Sequence, residues 1–224
     1  MGRCLFTELL ALTVLAAGCG GGSSSSSSNG EAKKSGQQVY ADVKTAVAGA
    51  TGVHVSGTYK SAGTSVAIDL TLGKDSGKGF LAQDNARADV VRVADTAYMR
   101  ASAAFWRKYA GAAAAQLLQD KWLQGSATKK PFAAFAKFMS ITGLVGDAFQ
   151  RHGKLSNLGE QKYKGQRVVA IKDAKNGSIL YVAATGTAYP VAAVGSGSIS
   201  FADWGKAVSV SAPKGAVDIS SFGG

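Results

Sequence analysis

Apolar and polar positions along the chain change period several times, and each change marks an element. Val39, Val43, Ala46, Val47 and Ala50 recur at helical spacing and stop at Gly52, which predicts an opening helix. From there the period is two. Val53, Val55 and Tyr59 alternate with His54, Ser56 and Thr58, and after Ser61-Ala62-Gly63 the residues Val66, Ile68, Leu70 and Leu72 alternate with Ala67, Asp69 and Thr71. Such alternation predicts a half-buried antiparallel hairpin. Strands are expected next over 79–83, 89–93 and 96–101, then one or two helices interrupting the sheet around the Ala-rich stretch 110–119, and a strand from Lys121-Trp122-Leu123. The longest helical signal follows Pro131, where Phe132, Phe135, Phe138 with Met139, Val145 and Phe149 repeat every three to four residues, bent or split by Gly143 and Gly146. From Leu158 a meander resumes, with turns at Lys164-Gly165 and Asn176-Gly177 and strands over 167–172, 178–184, 189–194, 198–204 and 207–211.

The sum is an α+β fold: a curved, many-stranded antiparallel sheet, an open half-barrel, with a few helices packed on its concave face. Helices in that position enclose either a packed core or a cavity. Residues 39–224 have the length of one ordinary domain, able to bury roughly 70% of the surface of the unfolded chain.

The N-terminal region has a different composition. Residues 1–18 hold one Arg, then an apolar run over 9–17 that is too short to span a bilayer and has the order of a secretory signal. It ends in Leu15-Ala16-Ala17-Gly18-Cys19, which resembles a bacterial lipobox, so cleavage before Cys19 and attachment of diacylglycerol to its thiol are expected. Residues 19–38 include GGGSSSSSSNGEAKKSG, with almost nothing to bury, and are expected to form a flexible tether spanning about 20–25 Å. Such processing removes Cys4 and consumes Cys19, the two cysteines of the chain. That excludes a disulfide framework, thiolate metal sites and a cysteine nucleophile from the mature protein.

Little else in the sequence carries chemistry. His54 and His152 are far apart, no serine sits in a nucleophile elbow, and Gly195-Ser196-Gly197 has the character of a turn. Asp69, Asp84, Asp89 and Asp95 are expected on strands or turns as solvated surface, and no phosphate-binding glycine loop precedes a helix. No enzyme, metal or cofactor is expected. The net charge of +11 survives processing, because loss of Arg3 is cancelled by loss of Glu8. On an exported protein it suits anionic headgroups or wall polymers rather than nucleic acid.

The lipobox, the opening helix before Val53-His-Val-Ser-Gly-Thr-Tyr59, the segment Asp95-Thr-Ala-Tyr-Met-Arg-Ala-Ser-Ala-Ala-Phe-Trp106, and Lys121-Trp-Leu123 leading into helices together resemble the LppX/LprAFG lipoproteins. More distantly they resemble the fold shared by LolA, LolB and RseB. The resemblance implies a non-enzymatic, monomeric lipoprotein on the outer face of the cell membrane, or in the outer membrane of a diderm, holding an acylated lipid in an apolar cavity. Phe132, Phe135, Phe138, Met139, Val145 and Phe149 are the candidate cavity wall, with Trp106 and Trp122 at its mouth. The alternative is a sensing lipoprotein with a filled core that engages another envelope protein.

Overall fold

The computed structural model describes residues 27–61, 63–141, 143 and 152–219. Twelve strands form one open sheet in the order β12-β6-β5-β4-β3-β2-β1-β11-β10-β9-β8-β7. Consecutive hairpins link β1 (Gly52–Ser61), β2 (Thr64–Gly73), β3 (Ser76–Gln83), β4 (Ala86–Val93) and β5 (Thr96–Ala101), and β6 (Leu123–Ser126) follows β5 after a helix. The second half runs β7 (Leu155–Tyr163), β8 (Gln166–Asp173), β9 (Ile179–Ala183), β10 (Pro190–Val194) and β11 (Ser198–Ala202), and β11 closes against β1. All these pairs are antiparallel; only β12 (Val217–Asp218) adds in parallel, to β6.

The opening helix α1 (Gly36–Gly49) starts at Ser35, whose side chain accepts from the N–H of Gln38 while the Gln38 side chain accepts from the N–H of Ser35. This reciprocal cap satisfies two donors that the first turn leaves unpaired. Val39, Tyr40, Val43 and Val47 then lie on one buried stripe against Val53, Val55, Leu70, Leu72, Val169 and Ile171. Each fully buried Val or Leu there contributes about 1.5–3 kcal/mol. A second cluster joins α2 (Ala103–Leu118) to β4–β6 through Ala88, Ala97, Ala101, Trp106, Ala115, Leu123 and Phe132. Both clusters occupy the concave face.

Three expectations require correction. The long helix after Pro131 breaks earlier than Gly143: α3 (Ala133–Ala136) is a single turn, tight bonds run from Phe138 N–H to Phe135 O and from Met139 N–H to Ala136 O, and helical backbone returns at Ile141. Phe132 and Met139 are both buried, the Phe132 ring against Gly125 and the Met139 backbone against Gly77, and the chain turns between these two contacts. Second, residues 207–211 form no strand. They cross the convex face where paired Gly52 and Gly73 have no side chain, with the backbone of Lys206 over Gly52 and Val208 over both.

Third, the expected tether meets folded structure by Ser28. Ser28 bridges Thr185, Asn29 Nδ2 donates to Ala183 O and Gly186 O, and Asn157 Nδ2 donates to the carbonyls of Glu31 and Lys34. Glu31 is buried, and Lys34 Nζ lies 2.8 Å from its Oε1 and 2.7 Å from Asp42 Oδ2. Polar bonds, which composition does not reveal, order this stretch in place of apolar burial.

Candidate functional site

Strand register brings apolar side chains into rows across the concave face, because partners in an antiparallel ladder point to the same side. One row runs Phe201–Val55–Leu70–Gly79–Val90–Met99–Leu123. Its centre lies under α1 and Met139: Val55, Leu70 and Val90 are buried. The next row runs Leu180–Ala193–Ile199–Gly57–Ile68–Leu81–Ala88, and beyond it Tyr59 pairs Val66. Here burial stops short. Leu180, Ile199, Leu81 and Val66 are half-buried and Tyr59 is 36% exposed, although Leu180, Ile199, Leu81 and Val66 pack against the larger core cluster. Removal from water also pushes the Tyr59 hydroxyl pKa upward.

The result is an apolar strip in the trough of the sheet, near the rim that bears the 84–85 and 195–197 turns. Gly57 at its middle has a positive φ of 144°, and the backbone of Ser198 occupies the space that a side chain there would need. Charge is scarce on the concave parity of β1–β6. Arg92 sits at the opposite rim and is spent on Ala94 O and Ala136 O. Such a surface can hold methylene chains by burial alone.

The sequence-chosen residues fall elsewhere. Phe132 is 1% exposed, with its ring on Gly125, and Met139 is 1% exposed, with its carbonyl over Gly77. Phe135 is half-buried, packs on both clusters and meets Phe132 edge to face at 5.5 Å. Phe138 points outward, 37% exposed, beside Lys137. Val145 and Phe149 lie outside the described residues. Trp106 is buried in the second cluster, while Trp122 is half-buried under the Arg100 guanidinium, 5.0 Å from its ring centroid. Sequence reading passed over Tyr59, Val66, Leu81, Leu180 and Ile199 because each looked like an ordinary inward strand residue.

Two grooves open at the other rim. One of about 440 Å³ is lined by Tyr189, Trp204, Phe201, Thr185 and Gln166; Tyr189 and Trp204 stack with centroids 4.8 Å apart, and Trp204 Nε1 donates to Pro190 O. The second, about 320 Å³, shares Asp203 and adds His54, Thr71 and Lys206. Lys206 beside Asp203 holds that carboxyl below its ordinary range, and His54 Nε2 lies 2.9 Å from Asp69 Oδ1. Asp89 bridges Arg87 and Arg100 rather than standing free as expected. Among the described residues no three His, Cys, Asp or Glu side chains converge on one point.

No protein-family model matches the chain, and no curated protein matches it in sequence. Its architecture does have counterparts among solved structures. LprF from Mycobacterium bovis superposes over 84% of this chain and 100% of its own, with a TM-score of 0.54 at 16% identity. The chain has the LprF fold. A conserved protein from Thermus thermophilus is more loosely similar, with a TM-score of 0.43 at 8% identity over 82% of this chain and 98% of its own. The open sheet with helices in its trough agrees with the fold expected from the sequence, and the apolar strip lies inside that trough.

Proposed function

We propose that the chain is an extracytoplasmic lipoprotein, anchored by diacylglycerol on Cys19, which accommodates an acylated lipid along the concave strip and carries out no catalysis. The strip is the observation that carries this reading: half-exposed Tyr59 and Val66 pair with one another, and half-buried Leu180, Ile199 and Leu81 share the adjacent row with Ala193 and Ile68, in the trough of an LprF-type sheet. Scattered apolar residues on a surface need no explanation, but a contiguous row in a concavity does. The lipobox supports export and anchoring, and a tether of some nine residues before Ser28 leaves the domain close to the membrane. Phe132 and Met139 act as the floor that fixes the trough, rather than as its lining.

The test is native and denaturing mass spectrometry of the chain from residue 19 onward with Cys19→Ala, followed by titration with a fluorescent fatty acid. Co-purifying lipid at near one equivalent, and uptake abolished by Leu81→Asp and by Ile199→Asp, is the expected result. Lipid-free protein that takes up no probe would sink this reading and direct the search to a protein partner.

A further inference from the structure

The strands end on two rims. One rim carries the 73–76 and 93–96 turns, the end of β6 at Ser126, and the ends of β9 and β11. The N-terminal segment joins the sheet on this rim, where Ser28 bridges Thr185. Eight residues lie between Cys19 and Ser28, and the nine steps along the chain reach at most about 30 Å. An anchor on Cys19 therefore keeps the point where the chain joins this rim within about 30 Å of the headgroups.

The same rim bears a cationic projection. Residues 129–138 coil through successive turns closed by Ala133 N–H to Lys129 O, Ala136 N–H to Phe132 O, and Phe138 N–H to Phe135 O. Lys129, Lys130, Lys137 and Phe138 are exposed on it, while Phe132 and Met139 pin it to Gly125 and Gly77 below. Between residues 121 and 146 the chain has four lysines and no acidic residue. Asp75 and Asp95 are the acidic neighbours in the adjoining turns, and Lys74 stands beside the first. The Nζ of Lys137 lies 5.2 Å from the Phe138 ring centroid, so the projection presents an exposed aromatic ring with an ammonium group beside it. An aromatic ring suits the headgroup boundary and lysines suit anionic headgroups.

We propose that residues 129–138 form a docking surface for anionic phospholipid bilayers, which holds the tether rim against the membrane and leaves the apolar strip facing away from it. The orientation rests on the proposed anchor at Cys19. Bilayer recognition itself belongs to the folded chain and is tested without the anchor.

The chain from residue 19 with Cys19→Ala is sedimented with vesicles of phosphatidylcholine alone or enriched in phosphatidylglycerol, at low and high salt. Binding to the anionic vesicles only, reversed by salt, is expected. The triple variant Lys129→Gln, Lys130→Gln, Lys137→Gln should bind roughly tenfold to a hundredfold more weakly. A control triple on the opposite rim, Lys154→Gln, Lys172→Gln, Lys175→Gln, should bind as the parent does. Both triples change exposed side chains only. Absence of binding by the parent overturns the proposal; so does equal weakening in both triples, which would make the attraction a property of net charge. Neither acyl anchor nor acyl cargo enters this assay, so its failure is separate from failure of the fatty-acid titration.

Discussion

The ring of Phe132 lies directly on the backbone of Gly125, so closely that a Cβ added at Gly125 would stand 2.5 Å from Cε2 of the ring. Phe132 is buried on every side and cannot swing away. Gly125→Ala should therefore destabilise the fold by about 1–3 kcal/mol through overpacking, read as a lower midpoint in chemical denaturation. An unchanged midpoint would mean that the ring is not held there.

Ser35 and Gln38 exchange bonds of 3.3 and 2.9 Å across the first turn of α1. Loss of the hydroxyl in Ser35→Ala should cost about 1 kcal/mol, whereas Ser35→Asp should retain most of the stability. Thermal unfolding of the two variants in parallel distinguishes a lost cap from a general surface effect.

Trp106 is buried, and its Nε1 has no hydrogen-bond partner among the described residues. Trp106→Phe removes that orphan donor while keeping most of the apolar volume, so the stability change should be less than about 1 kcal/mol in either direction. Trp106→Ala opens a cavity and should cost about 3–5 kcal/mol. Similar large losses in both variants would show that the indole N–H has a partner.

Asp173 accepts the backbone N–H groups of Lys175 and Gly153 on Oδ1, at 2.8 and 2.9 Å. These bonds, the Lys175 one foremost, hold its carboxyl below the ordinary range. A depressed carboxylate contributes stability that is complete above its unfolded value and is lost as pH falls through the folded one. Stability should thus decline on acidification below about pH 4, and Asp173→Asn should flatten that part of the profile. A variant with an unaltered acid limb would contradict the assignment.

The strip and the phenylalanine segment make opposite functional forecasts. Phe138→Asp, exposed on the tether rim, should leave fatty-acid uptake intact, while Leu81→Asp should abolish it in a protein that still shows a cooperative unfolding transition. Loss of uptake with Phe138→Asp alone would return the cavity wall to residues 132–149.

Strand periodicity was legible almost residue by residue, because a period of two with one buried face admits a single register and the turn pairs Lys164-Gly165 and Asn176-Gly177 punctuate it. Both residues of the first turn have positive φ, 48° and 83°. The helix α1 was equally plain. Misreadings arose where tertiary contacts override local pattern: the aromatic spacing after Pro131 is helical, yet Gly125 and Gly77 draw Phe132 and Met139 into separate notches on the sheet. Residues 207–211 alternate like a strand, yet they cross the glycines of β1 and β2.

The candidate site divides in the same way. Alternating apolar residues determined by themselves that an open sheet would bury one face, and the Leu15–Cys19 pattern carries the expectation of an anchor. Which inward residues stay half-exposed was decided only by the tertiary structure. Burial depends on how far α1, α2 and the 132–139 segment reach across the trough, a distance that no local spacing encodes. The tether offers the converse case: its composition forbids a hydrophobic core, but Ser28, Asn29 and Lys34 find partners more than a hundred residues away or across a helix turn, and hydrogen-bond geometry set by the whole fold orders them.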